Sequence, residues 1–99
     1  MKIMIQFVKM DDSTAMSHYV TQKLEKLGKK YDWIIQAQVY FKLEYNPSKK
    51  GKICEIELSV PGPRIFAASD EHNYEKAVKE TIKDLGRQLK KRKATIIHH

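Results

Sequence analysis

A row of positively charged side chains near the end of the chain offers the clearest chemistry in this sequence. Between Tyr74 and about Lys93 the pattern is helical, and five cations fall within an arc of roughly 80° at 3.6 residues per turn. These cations are Lys76, Lys79, Lys83, Arg87 and Lys90. Glu75, Glu80 and Asp84 lie beside the arc, so we expect poor self-neutralisation. Such a row can bind phosphates, although a solvated helix surface has the same pattern.

Lysine and arginine residues also cluster in three segments, one of which overlaps the row at Lys90. They are Lys23, Lys26, Lys29 and Lys30 late in a first predicted helix, Lys90, Lys91, Arg92 and Lys93 in the last one, and Lys49, Lys50 and Lys52 around a predicted hairpin loop. Near a helix C-terminus, lysines also complement the negative end of the helix dipole, so a structural and a binding role can coincide. The net charge of +7 over 99 residues favours a nucleic acid or an acidic protein as partner.

Residues that carry most enzymatic chemistry show no matching pattern. Cys54 alternates inward in a predicted strand, which is typical of a small buried apolar residue rather than a nucleophile. The histidines at positions 18, 72, 98 and 99 lack zinc-site spacing, and the terminal pair is either native or the remnant of a tag. There is no nucleophile elbow, phosphate-cradling loop or suggestive carboxylate pair. We therefore expect a binding protein with no catalytic activity, metal or cofactor.

Hydrophobic periodicity predicts six elements in one domain. Strands are expected at 2–8, 34–45, 52–60 and 64–68, and helices at 15–30 and 74–93. Asp11–Thr14 and Ser69–Asn73 supply helix caps, while Asn46–Gly51 and Pro61–Pro63 are turns. The order β-α-β-β-β-α predicts a two-layer α+β fold, in which two helices cover one face of a four-stranded sheet. Residues 1–95 are expected to form the domain and residues 96–99 a loose tail.

The second predicted strand shows which side chains face each side of the sheet. Ala37, Val39, Phe41 and Leu43 are expected to face the helices, and Gln38, Tyr40, Lys42 and Glu44 the solvent. Tyr40 is the only aromatic residue expected to be exposed within a strand. Proteins that read single-stranded RNA stack bases on several aromatic side chains, so this pattern favours recognition of RNA backbone and shape.

The cellular location follows from what the sequence lacks. No run of about 18 apolar residues is present, and the N-terminus does not have the pattern of a signal peptide. A single cysteine, Cys54, excludes an internal disulfide and fits a reducing compartment. These features predict a cytoplasmic protein with no membrane partner.

Four segments together resemble a known family. They are AMSHYVTQKLEKLGKKYDWI (15–34), AQVYFKLE (37–44), FAAS (66–69) and DLGRQLKKRK (84–93). An aromatic–Asp pair after a Lys/Leu-rich helix, combined with Leu-x-Arg-Gln-Leu late in the second helix, is fairly specific. From Ile3 to Lys93 the chain resembles the short ribosome hibernation-promoting factors and ribosome-associated inhibitors, also called sigma-54 modulation proteins.

This resemblance implies a fold related to the double-stranded RNA-binding domain, with one strand added in front. It implies a non-enzymatic cytosolic factor of stress or stationary phase. Such a factor sits between the head and body of the small ribosomal subunit, over the mRNA and tRNA sites. There it blocks translation and preserves idle ribosomes. The short forms also assist ribosome pairing, and the resemblance leaves open whether this chain promotes or opposes pairing and whether it needs a partner factor.

The resemblance also implies which residues bind small-subunit rRNA. Those carried over by matching segments are Lys23, Lys26, Lys42, Arg87, Gln88, Lys91 and Lys93; the helical pattern adds Lys79, Lys83 and Lys90. The chain has the length of members without a C-terminal dimerisation domain, and we expect it to be monomeric when free. The alternative functions are a general binder of structured RNA and a basic module that binds an acidic protein.

Overall fold

A mixed four-stranded sheet and two helices make up the computed structural model, which describes residues 1–45 and 50–97. The elements are β1 (Lys2–Val8), α1 (Thr14–Lys30), β2 (Gln36–Leu43), β3 (Lys52–Ser59), β4 (Ile65–Glu71) and α2 (Tyr74–Ile97). The strands lie in the order β1-β2-β3-β4, with β1 parallel to β2 and the other neighbours antiparallel. This arrangement confirms the predicted α+β fold. The predicted loop residues 46–49 and the terminal histidines, 98 and 99, lie outside the described residues.

One face of the sheet forms the core with both helices, because alternate strand residues on that face are apolar. Val39 of β2 is paired with Ile56 of β3, and both side chains are buried. Phe41 is fully buried between Phe7 and Tyr74, at centroid distances of 5.0 and 5.6 Å. The helices contribute apolar side chains to the same cluster, among them Val20, Leu24, Val78, Leu85 and Leu89. Within residues 1–45 and 50–97, no helix covers the opposite face of the sheet, which is called the open sheet face below.

Both helices begin at side-chain caps that the sequence had suggested. Ser13 Oγ accepts a hydrogen bond from the backbone N–H of Met16 (3.2 Å), and Asn73 Oδ1 accepts one from the backbone N–H of Lys76 (2.8 Å). These bonds satisfy amides that lack a partner in the first helical turn. The hydroxyl of Tyr74 also donates to the carbonyl oxygen of Lys42 (2.9 Å), which fixes the start of α2 to the end of β2.

Helices α1 and α2 lie side by side and run in the same direction. Near their starts, Met16 and Tyr74 line the same shallow depression. Near their ends, the Lys93 ammonium lies 6.0 Å from the ring centroid of Tyr31, the residue that follows α1. The C-terminal halves of both helices, where the lysines concentrate, are therefore neighbours.

Several predicted boundaries differ from those observed. Strand β4 continues beyond Ala68 to Glu71, because three polar residues still pair with β3. Helix α2 continues beyond Lys93 to Ile97, so residues 96 and 97 are helical, although both had been assigned to a loose tail. Strand β2 is shorter than residues 34–45, and Leu43, expected to face the core, is 58% exposed because it lies at the strand's end.

Candidate nucleic-acid interface

The outward side of α2 presents the row of cations that the sequence predicts. All five predicted members of the row are exposed: Lys76, Lys79, Lys83, Arg87 and Lys90. The opposite side of α2 explains this orientation, since Ala77, Val78, Thr81, Leu85 and Leu89 are completely buried. Helix geometry places residues with these two spacings on opposite sides. We use the name helix surface for this row together with Lys91, Lys93 and the α1 residues Lys23, Lys26, Lys29 and Lys30.

Two members of the row have a carboxylate partner, which corrects the expectation that acids avoid it. Lys76 Nζ lies 3.6 Å from Glu71 Oε1, and Arg87 Nη2 lies 3.7 Å from Asp84 Oδ1. Glu71 belongs to β4, so this contact could not be foreseen from the helical pattern. Both pairs are long and both cations are largely exposed, although Glu71 is partly buried, and pairs with exposed cations typically contribute about 0.2–1 kcal/mol. They leave both cations available to a stronger anionic ligand.

Four cations along α2 repeat at the spacing that brings side chains closest together. Lys79, Lys83, Arg87 and Lys91 follow one another at intervals of four residues, and all are exposed. Like charges at this spacing destabilise a helix by a few tenths of a kcal/mol per pair. Within the part of the chain that the structure describes, the three lysines have no ion pair to offset this repulsion. The row therefore lowers the stability of α2, which points to a role outside the fold.

The contributions of the two helices meet at Tyr31. The Lys30 ammonium lies 5.6 Å from the ring centroid of Tyr31, and the Lys93 ammonium lies 6.0 Å from it. This ring is only 3% exposed and makes an edge contact with Trp33, at a centroid distance of 5.7 Å. A third cation–ring contact, between Lys23 and Tyr19, lies wholly within α1 (5.4 Å).

Lys42 and Gln88, two residues predicted to bind rRNA, have partners within the protein. Lys42 is on the open sheet face, where its ammonium pairs with Glu55 Oε1 at 3.0 Å. Gln88 donates a hydrogen bond from its side-chain amide to the carbonyl oxygen of Phe66 (2.8 Å), which attaches α2 to β4. The fold thus brings Lys30 of α1 and Lys93 of α2 together at Tyr31, and it places Lys42 on the other side of the sheet.

Arg92 has a structural role that sequence reasoning missed. Its Nη1 donates to the carbonyl oxygens of Pro61 (2.9 Å) and Pro63 (2.7 Å), so it holds the β3–β4 turn against α2. Gly62 lies between these prolines with a φ of +88°, a conformation that favours glycine. No local sequence signal could reveal the contact, because about 30 residues separate its partners.

The open sheet face differs from the helix surface in composition. Two of its cations are paired at short distances, since Arg64 Nη1 lies 2.7 Å from Glu57 Oε1 and Lys42 is paired with Glu55. Phe66 is 52% exposed, so the expectation that Tyr40 is the only exposed aromatic within a strand is wrong. Tyr40 is half-buried and donates a hydrogen bond to Gln38 Oε1 (3.0 Å).

Cys54 is completely buried, as its position in the strand predicts. Burial is the largest cause that raises the pKa of its thiol to about 12; the charge of Glu55 adds to the shift and a hydrogen bond with Thr81 opposes it. The thiol is therefore protonated at neutral pH and unsuited to nucleophilic chemistry. Among residues 1–45 and 50–97, there is no group of three metal-ligating side chains, and neither helix has the length and apolar character of a membrane span.

Comparisons with known proteins match most of the chain. A family model described as Sigma 54 modulation protein / S30EA ribosomal protein matches residues 3–96. A ribosome hibernation promoting factor from Klebsiella oxytoca is 33% identical over 85 residues, which cover 86% of this chain and 85% of that protein.

Solved structures show the same architecture. A ribosomal subunit interface protein from Coxiella burnetii superposes with a TM-score of 0.81 at 26% identity, covering 95% of this chain and 99% of that one. The N-terminal domain of Thermus thermophilus Protein Y superposes with a TM-score of 0.76 at 24% identity, covering 92% and 98%. The second likeness concerns the fold alone.

Proposed function

We propose that this chain, which belongs to the Sigma 54 modulation protein / S30EA ribosomal protein family, binds the ribosome and keeps it from translating. The observation that carries the proposal is the helix surface, where two parallel helices carry exposed cations and approach each other at Tyr31 through Lys30 and Lys93. Lys79, Lys83 and Lys91 repel each other and Arg87 along α2, and an RNA backbone would supply the missing negative charge. The names of the relatives supply the ribosome as the source of that RNA.

The proposed target is the rRNA of the small subunit, in the decoding channel between its head and body. There the helix surface would neutralise phosphates while the remainder of the domain occupies space that mRNA and tRNA need. Phosphate contacts position a protein without reading sequence, which agrees with the scarcity of exposed aromatic side chains on the helix surface. The inhibition is steric and electrostatic, so it requires no catalytic group or cofactor.

The wider role also belongs to this proposal. We infer a cytoplasmic factor that preserves idle ribosomes during stress or stationary phase and is monomeric when free. Ribosome pairing, assisted by a partner factor, would be a consequence of binding rather than a separate activity of the helix surface. The runner-up function is general binding of structured RNA, which the same exposed cations favour.

Co-sedimentation across a salt series separates these two functions. The protein is mixed with whole ribosomes, with each separated subunit, and with a free RNA duplex of unrelated sequence. The proposal predicts binding to the small subunit that weakens steeply as salt rises, together with loss of translation in vitro. Equal affinity for the free duplex would favour the general RNA binder, and no ribosome binding at low salt would refute the ribosomal function.

A further inference from the structure

We propose that Lys30 and Lys93 bind the same phosphate group of the RNA backbone, above the ring of Tyr31. This inference rests on the proposed function and adds one defined subsite to it. Lys30 and Tyr31 are not among the residues that the family resemblance assigns to rRNA binding. A phosphate bound at this subsite would contact the C-terminal ends of both helices at once.

The geometry places two positive charges beside one fixed ring. Both ammonium nitrogens lie within 6.0 Å of the Tyr31 ring centroid, so they are less than about 12 Å apart. Each nitrogen ends a flexible stem with several rotatable bonds and carries three hydrogen-bond donors, so rotation about these bonds can bring both to one anion. The two lysines belong to different helices, and the parallel packing of α1 and α2 sets their separation.

The subsite is electrostatically incomplete without an anion. In the part of the chain that the structure describes, neither Lys30 nor Lys93 has a carboxylate partner. The aromatic ring attracts each ammonium, and this attraction keeps the two like charges near each other. An anion between them would relieve their repulsion. Lys23, which lies above the Tyr19 ring, has no second cation beside it there among the cation–ring contacts of the described residues.

A phosphodiester fits this arrangement better than a single carbonyl or hydroxyl group. It carries a full negative charge and two non-bridging oxygens, and each oxygen can accept a hydrogen bond from a different ammonium. Tyr31 is nearly buried and packs against Trp33, so the ring on which both lysines rest is held in place. Restricting the lysines before binding lowers the conformational entropy that is lost when RNA binds.

The salt dependence of binding tests whether one phosphate is shared. Each phosphate that the protein neutralises contributes about 0.9 to the slope of log K against log salt on a duplex. With a shared phosphate, Lys30→Gln or Lys93→Gln alone should change the slope by less than about half a unit, because the remaining lysine still neutralises the phosphate. The double variant should lower the slope by about one unit and the affinity by about tenfold near 0.1 M salt.

A second double variant controls for the loss of charge. Lys2 is exposed on β1 and lies outside the helix surface, so Lys2→Gln with Lys93→Gln removes the same number of charges. It should change the slope by less than about half a unit, because Lys30 remains at the shared phosphate. Because these side chains lie on the surface, we expect each variant to fold, and thermal unfolding checks this.

Other results would overturn the inference in recognisable ways. Two separate phosphates would give a slope change of about one unit for each single variant and about two for Lys30→Gln with Lys93→Gln. An unchanged slope in that double variant would mean that no phosphate is bound there. If the wild-type protein does not bind ribosomes, the proposed function fails by itself, and the same variants measured on a free RNA duplex decide the subsite. Binding to neither would overturn both.

Discussion

The helix surface and the open sheet face carry the same kinds of cation in different surroundings. On the open sheet face, Lys42 and Arg64 lie 3.0 and 2.7 Å from carboxylate oxygens on β3. On α2, the two ion pairs are longer, at 3.6 and 3.7 Å, and within the described residues Lys79 and Lys83 have none. The fold thus pairs Lys42 and Arg64 closely with carboxylates on one side, and on the other it leaves Lys79 and Lys83 without such a partner among the described residues.

Secondary structure explains this difference. In a sheet, Glu55 lies opposite Tyr40 and diagonal to Lys42, so strand register alone brings the opposite charges together. In α2, side chains three and four residues apart are neighbours, and Lys79, Lys83, Arg87 and Lys91 place like charges at the four-residue spacing. A cation's neighbours in the fold, rather than the net charge of +7, therefore indicate whether it can bind another molecule.

The largest expected effect on ribosome binding comes from removing two charges from the helix surface, compared with removing two from the open sheet face. Lys79→Gln with Lys83→Gln should weaken ribosome binding by up to about 100-fold near 0.1 M salt, because each phosphate left without its lysine lowers the affinity by about tenfold. The same change should stabilise the fold slightly, because it relieves repulsion within α2. The control, Lys42→Gln with Arg64→Gln, removes two charges from the open sheet face and should weaken binding less than about threefold. Affinities from co-sedimentation and stabilities from urea unfolding test both expectations, and equal weakening by the two variants would contradict the contrast.

Within α2, Arg92 and Lys91 allow a cation with a structural role to be compared with an exposed one. Arg92→Ala removes two hydrogen bonds from a charged donor to the β3–β4 turn, so it should lower the free energy of unfolding by about 1.5–3 kcal/mol. The neighbouring Lys91→Ala removes an exposed cation and should change stability by less than about 0.5 kcal/mol. Urea unfolding of both variants measures the difference. Similar stabilities would show that the turn does not depend on Arg92.

Substitution of Gly86 tests whether RNA binding requires close approach to the backbone of α2 as well as its charged side chains. A Cβ atom at this position would meet no atom within 4 Å, so Gly86→Ala should stabilise α2 by about 1 kcal/mol. Ribosome affinity should not change if the RNA contacts only the lysines around it. Loss of affinity in this more stable variant would show that the RNA backbone approaches the helix at Gly86. The two measurements are thermal unfolding and co-sedimentation.

Cys54 provides an effect that is absent near neutral pH and appears only at alkaline pH. The pKa of the thiol is ordinarily near 9.0, and burial raises it to about 12 in the folded protein. Between these values the unfolded chain loses a proton that the folded chain retains, so the Cys54 contribution to stability falls as pH rises. The stability advantage of wild type over Cys54→Ala should therefore shrink above pH 9. A constant difference up to pH 11 would contradict the buried, protonated thiol.

The sequence predicted what depends on local periodicity. The order of elements, the buried side of α2 and its exposed cations follow from spacing alone. The extension of β4 was missed because Ser69, Asp70 and Glu71 are polar, and only pairing with β3 makes them part of a strand. Continuation of α2 to Ile97 was missed because residues beyond Lys93 have no amphipathic pattern.

The candidate site was predicted less completely, because partners distant in the chain determine which side chains are available. The ion pair between Lys42 and Glu55 joins residues of two strands, and the hydrogen bond from Gln88 to Phe66 joins a helix to a strand. Spacing along one element does not reveal either contact. The meeting of Lys30 and Lys93 at Tyr31 depends in the same way on the packing of the two helices.

The most direct test of the central claim reverses charge on each side of the molecule. Arg87→Glu with Lys91→Glu is compared with Lys2→Glu and Arg64→Glu, two exposed residues on the side of the sheet away from the helices. Both variants change the net charge equally, so long-range attraction to RNA falls by a similar amount. Ribosome co-sedimentation at one salt concentration, with circular dichroism as a check on folding, should show loss of binding for the first pair and retention for the second. Wild-type binding by the first variant would contradict the account, because the helix surface could then not be the ribosome contact.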